Sequence, residues 1–153
     1  MKKRLLLVYS SQSGRTLAMA EAAQAGAAEL GDEVELRVLP ALQAGLDDLL
    51  WAEGLLIGTP ENFGYMSGAV KDFLDRTYYP AQGRVTGLPY AVFVSAGNDG
   101  RGAVTAIERI ALGYGWNKAA EPVIARGELD EEALSRCREL GQTLAAGLAC
   151  GIF

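Results

Sequence analysis

The 153-residue chain has no histidine, only two cysteines and five prolines. Without histidine, no catalytic imidazole is available. Cys137 and Cys150 have neither metal-ligand spacing nor the pattern of a disulfide framework, and no metal site is expected. No apolar run approaches the ~20 residues of a membrane span. The run that follows Met1-Lys2-Lys3-Arg4 stops at Tyr9 and meets a polar loop, not a small-residue cleavage site, so the expectation is a cytoplasmic protein without membrane association. Lys and Arg number 14 against 19 Asp and Glu, a formal net charge of -5. Nucleic-acid binding needs clustered basic residues, so no such partner is expected. Two phosphate-binding signatures are also missing, G-x-G-x-x-G after a strand and G-x-x-x-x-G-K-[ST]. The first loop has no cysteine of the kind a small phosphatase uses as nucleophile.

Half of the residues are hydrophobic and 22% are charged, which is a globular composition. The length suits one core, so residues 1–153 are expected to form a single domain. Short apolar runs at Arg4 to Val8, Gly54 to Gly58 and Tyr90 to Val94 read as buried strands. Glu33 to Leu39 alternates acidic and apolar residues like a strand near a sheet edge, and Trp116 to Ala125 holds a last strand. Helical patterns fill Thr16 to Leu30, Leu46 to Ala52, Gly68 to Tyr78, Ala103 to Leu112 and Leu129 to Leu148. Cys137 lies on the apolar stripe of the last of these, and Trp51 and Trp116 also read as core. Five strands alternating with five helices predict a five-stranded parallel sheet covered on both faces, an α/β/α sandwich.

The turn Tyr9-Ser10-Ser11-Gln12-Ser13-Gly14-Arg15-Thr16 joins the first strand to the first helix. Such a turn aims unpaired backbone amides and the positive end of a helix at one point, which holds an anion without a lysine. Ser11, Ser13 and Thr16 add three hydroxyls where a simple helix cap needs one. With strand order 2-1-3-4-5, this loop lies beside Thr59 to Tyr65 and Ser95 to Gly102, the two other stretches rich in Ser, Thr, Asn and Gly. Ligands in open α/β sheets bind beyond the carboxyl ends of the strands, where the order reverses. Three glycines in the third loop exceed what a turn alone requires.

The stretch Ser11-x-Ser13-Gly14-x-Thr16 resembles the phosphate loop of flavodoxins. Gly58-Thr59-Pro60-Glu61-Asn62-Phe63-Gly64-Tyr65-Met66-Ser67-Gly68, followed by Lys71-Asp72-Phe73-Leu74-Asp75-Arg76, is similar to the second loop and helix of the flavodoxin-like NAD(P)H:quinone oxidoreductases of the WrbA type and the related NADPH-dependent FMN reductases. The resemblance implies a flavodoxin-like fold and FMN as cofactor. Its phosphate would lie on Ser11, Gln12, Ser13, Gly14, Arg15 and Thr16. Its ring would lie between Thr59, Pro60, Glu61, Asn62, Phe63 and Gly64 on one side and Ser95, Ala96, Gly97, Asn98, Asp99 and Gly102 on the other.

Arg15 stands where flavodoxins commonly carry Asn, and pairing with the phosphate and facing water are both open to it. Phe63 and Tyr65 either pack on the ring or support their loop. Tyr65, Tyr78 and Tyr79 are candidate walls of an acceptor pocket, with packing as the alternative for the last two. No side chain need be catalytic, because the flavin carries the chemistry. The implied function is hydride transfer from NAD(P)H to FMN and onward to a quinone-like small acceptor. The alternative is a flavodoxin that carries electrons between protein partners. The third loop lacks the aromatic that flavodoxins usually place there, which leaves one ring face open and favours the enzyme. The oligomeric state, a homo-oligomer included, does not carry over from the resemblance.

Overall fold

The computed structural model describes residues 1–153. Its elements in chain order are β1 (Lys3–Tyr9), α1 (Arg15–Ala28), β2 (Val34–Pro40), α2 (Leu46–Trp51), β3 (Gly54–Asn62) and β4 (Tyr65–Met66). They continue with α3 (Gly68–Ala81), β5 (Pro89–Ala96), α4 (Arg101–Tyr114), β6 (Asn117–Lys118), β7 (Val123–Arg126) and α5 (Glu131–Cys150). The main path of the sheet is β2-β1-β3-β5-β6, all parallel.

The expected five-stranded sheet is corrected in two places, and the sheet has seven strands. The last strand, expected within Trp116 to Ala125, is interrupted. β6 pairs with Pro89 and Tyr90 at the start of β5, and β7 pairs with Phe93 to Ala96 at its end. Pro122, which has no N–H to give a ladder, lies in the gap. The second change is at β3, which does not end at Gly58 but runs on to Asn62 and folds back antiparallel as β4. Phe63 and Gly64 form the two-residue turn with φ of 53° and 72°. Positive φ at both central positions is the type I′ geometry that matches strand twist.

Side chains of successive strand residues point to opposite faces, and this divides the interior into two cores. Leu6, Val8, Leu55, Ile57, Tyr90, Val92 and Val94 pack toward α3 and α4 with Val70, Phe73, Leu74 and Ile107. Leu5, Leu7, Leu56, Ala91 and Phe93 pack toward α1 and α5 with Met19, Ala23, Cys137, Leu140 and Leu144. The Ala-rich α1 lies against α5 so closely that a Cβ on Gly26 would fall 1.8 Å from the Arg138 carbonyl oxygen. One on Gly141 would fall 1.9 Å from that of Ala23. Cys137 is fully buried, and desolvation pushes its thiol up to about 12, so it is packing and not a nucleophile. Trp116 is core as expected, stacked on Tyr114 at 4.2 Å, whereas Trp51 is half-buried under the Arg37 guanidinium. No helix is long and apolar enough to cross a membrane.

The buried Tyr114 hydroxyl lies 2.7 Å from Thr77 Oγ1 and donates to the Leu74 carbonyl at 2.7 Å, joining the ends of α3 and α4. Burial pushes its pKa up to about 12. The folded chain therefore holds this proton more tightly than the unfolded chain. That contribution is complete below pH ~10 and is lost as pH rises through about 12. Tyr114→Phe is expected to lower stability by about 1–2 kcal/mol at neutral pH. It should also reduce the alkaline loss of stability, as read by urea unfolding at pH 8 and pH 11.

Candidate functional site

At the carboxyl edge of the sheet the ends of β1, β3, β5 and β7 bring four chain segments together. The first is 10–16. Its Ser11 Oγ accepts from the Gly14 and Leu17 amides, each at 3.2 Å, and so shapes the loop. Gly14 takes φ of 95° with open space beside it. Gln12 and Ser13 are exposed, and the amides of Gln12, Ser13, Arg15 and Thr16 donate to no protein acceptor. The first turn of α1 is thus an open set of donors at the positive end of a helix. The Ser13 hydroxyl is also unengaged, whereas Thr16 is buried with its hydroxyl 2.8 Å from Ser95 Oγ. Thr16 therefore ties the loop to β5 with its side chain and offers the site only its amide.

Arg15, with phosphate pairing and facing water both open to it from the sequence, makes one contact with the protein. Its Nη1 donates to the carbonyl of Gly127, in the turn after β7. That turn also bonds the third loop: Arg126 Nε donates to the Asp99 carbonyl at 3.2 Å, and the Gly127 amide donates to Ala96 at 2.8 Å. Sequence reasoning missed Arg126 and Gly127. The only available signal was that this turn, too, follows a strand at the same edge.

The second segment is the β3–β4 arm. Thr59 is fully buried. Its Oγ1 accepts from the Ser67 amide at 2.9 Å and donates to the Pro60 carbonyl at 2.8 Å, so it fastens the arm's base. Phe63 at the tip is fully exposed, and the Phe63 and Gly64 amides donate to no protein acceptor. Glu61 is turned away from the free space. Its two carboxylate oxygens accept from the Gly100 and Ala103 amides, each at 3.2 Å.

The third segment begins inside β5, which includes Ser95 and Ala96, and continues through exposed Gly97, Asn98 and Asp99. The amides of these three donate to no protein acceptor. The Asp99 side chain accepts from the Arg101 amide at 3.0 Å. Two of the glycines here are structural. Gly100 has φ of 74° and faces Ile124, and Gly102 has the Gly64 carbonyl oxygen 1.9 Å from where its Cβ would be. Only Gly97 faces open space at ordinary φ.

Among the helices that start near this edge, α1, α3 and α4 differ in how their first amides are engaged. Ser67 caps α3 through the Val70 amide and leaves those of Gly68 and Ala69 without a protein acceptor, whereas Glu61 with Asp99 occupies α4 with carboxylates. For α1, Ser11 takes the Leu17 amide, those of Arg15 and Thr16 stay free, and the preceding loop adds the free amides of Gln12 and Ser13. Beside this loop, a cleft of about 480 Å³ is lined by Ser10, Ser11, Gly14, Leu17, Leu42 and Ala69 among others. No group of three or more His, Cys, Asp or Glu is placed to hold a metal.

Tyr65 is exposed on the arm and stays with the site, but Tyr78 and Tyr79 do not. They lie ten and eleven residues along α3, about 15 Å from its start at a rise of ~1.5 Å per residue. There Tyr78 packs edge-on against Tyr114 at 5.1 Å and reaches the Gly113 carbonyl. The helix runs from the site to the far end of the sheet, where Tyr78 joins the α3–α4 contact and Tyr79 is exposed beside it.

Residues 37–124 match the family model described as NADPH-dependent FMN reductase. The chain is 32% identical over 169 residues to a protein named flavodoxin from Aquifex aeolicus, an alignment covering 95% of this chain and 87% of that one. It is 35% identical over 124 residues to a protein named NAD(P)H dehydrogenase (quinone) from Acidithiobacillus ferrooxidans. That match covers 68% of this chain and 62% of the relative, so a substantial part of the relative has no counterpart in it. Among solved structures, a flavodoxin from the domain Archaea superposes with a TM-score of 0.81 at 26% identity, covering 95% of this chain and 98% of the other. With an open anion cradle at the first strand and a family match over more than half its length, the chain belongs to the NADPH-dependent FMN reductase family of flavodoxin-like oxidoreductases.

Proposed function

We propose that residues 1–153 act as one FMN-binding domain in the cytoplasm, taking hydride from NAD(P)H and passing electrons to a quinone or similar small acceptor. The observation that carries this reading is the run of unengaged amides in the first loop and first turn of α1, at Gln12, Ser13, Arg15 and Thr16, beside an α4 start already occupied by carboxylates. A phosphate monoester would meet the amides of Gln12, Ser13, Arg15 and Thr16, with hydroxyl donors from Ser11 and Ser13. The free amides of Phe63 and Gly64 on one wall, and of Gly97, Asn98 and Asp99 on the other, suit the carbonyl and ring-nitrogen edge of an isoalloxazine. Bound FMN supplies hydride acceptance and electron storage.

The protein's part is orientation and access. Exposed Phe63, held at a backbone conformation costly for a non-glycine residue, offers an apolar face at the arm's tip. The third loop, Gly97 to Asp99, brings no aromatic side chain, so a planar donor and then a planar acceptor can use the same open face in turn. No nucleophile or imidazole is needed. Favouring the second reading, a carrier between proteins, is the flavodoxin-named relative that aligns with 95% of this chain, together with the net acidic charge.

The purified protein is expected to be yellow and to bleach rapidly on anaerobic addition of NADH or NADPH, with colour returning when a quinone is added. A yellow protein that bleaches only with a separate reductase would establish the carrier. A colourless protein that takes up no FMN would overturn both.

A further inference from the structure

We infer that Glu61 is a positioning residue for the flavin ring. Its carboxylate latches the β3–β4 arm to the first turn of α4, and its charge cancels the positive end of that helix. The inference rests on the FMN reading above. The two walls proposed for the ring belong to different elements, the arm at 59–64 and the loop at 95–99, and their separation decides whether a planar ring fits. β4 is only two residues long, and so short a ladder holds an arm weakly.

Glu61 is the side chain that bonds the arm to the residues directly after the 95–99 loop, at the start of α4. It sits one residue before the end of β3, and each carboxylate oxygen takes one amide of α4, Gly100 and Ala103, at 3.2 Å. The same contact is visible in the backbone, because the Gly64 carbonyl oxygen occupies the place of a Cβ on Gly102. The turn of the arm therefore presses directly on α4, and the latch fixes where its tip lies.

The charge has a separate consequence. An uncapped α4 would present a second positive helix end to the space between the walls, favouring anions and the more negative, reduced state of a flavin there. With Glu61 and Asp99 on its first turn, that end is neutralised, and α1 remains the anion site.

Glu61→Ala removes latch and charge together, whereas Glu61→Gln removes the charge and one of the two amide bonds but keeps an acceptor oxygen for the other. In the full-length protein without FMN, hydrogen exchange at the Gly100 and Ala103 amides should accelerate about tenfold or more in Glu61→Ala and less in Glu61→Gln. With FMN, Glu61→Ala should bind about tenfold more weakly. Glu61→Gln should stay within about threefold of the parent yet show a more positive midpoint potential. Parental exchange, affinity and potential in both variants would overturn the inference. So would weaker FMN binding with unchanged exchange, which would mean Glu61 touches the flavin itself. If the parent protein takes up no FMN, the flavin reading fails and the ring-positioning role with it, while the exchange rates still report whether the latch exists.

Discussion

Gly14→Asp is expected to abolish FMN binding at micromolar concentration while leaving the fold intact. Position 14 is the N-cap of α1 and has φ of 95°, a conformation that Asp tolerates better than most residues. No atom lies within 4 Å of the added Cβ. A carboxylate there would be placed at the helix start, as Asp130 is for α5, where its Oδ1 accepts from Ala133 at 2.9 Å. It would compete for the free amides and oppose an incoming phosphate. Two unit charges about 5 Å apart at an effective dielectric of about 20 repel by about 3 kcal/mol, so a loss of at least about a hundredfold is expected. Isothermal titration with FMN gives the affinity, and urea unfolding should show a cooperative fold that has lost no more than the ~1–3 kcal/mol that positive φ costs a non-glycine residue.

Gly26→Ala should be among the most destabilising single-methyl changes in the chain. In a solvent-facing helix the same substitution would stabilise by roughly 1 kcal/mol. Here the new methyl group would lie 1.8 Å from the Arg138 carbonyl oxygen, a backbone atom that no rotamer change can move. α1 and α5 would have to separate along a contact that also brings Gly141 against Ala23. Loss of that packing is expected to cost about 3 kcal/mol or more, against a typical total of ~5–15 kcal/mol. The midpoint of urea unfolding measures it. A variant more stable than the parent would show that the two helices are not held at this distance.

The parts of the site that could be read in the sequence were those set by local chemistry. Apolar runs bounded by Ser and Gly mark β1 and its loop, because burial on both faces and a helix start each impose their own residue types within a few positions. The β3–β4 arm was less legible. Pro60, Glu61 and Asn62 look like a loop, and their extended pairing depends on a turn at Phe63-Gly64 in which a bulky residue takes positive φ. The glycines of the third loop suggested close approach of a ligand. At Gly100 and Gly102 the close neighbours are Ile124 and the arm's own carbonyl, contacts between segments about 25 and 40 residues apart. The Arg15 contact was not legible for the same reason, since its partner, Gly127, lies 112 residues away. For Tyr78 and Tyr79 the sequence left a pocket wall and packing both open, and only the direction of α3, which carries them to the opposite end of the sheet, separates the two.

The most direct test compares FMN with riboflavin, which share the ring and differ in the phosphate. If the open start of α1 is the anchor, the protein should bind FMN at least about a hundredfold more tightly than riboflavin, with the gap shrinking in Gly14→Asp. Equal affinity for the two flavins would contradict a phosphate anchor at residues 11–16.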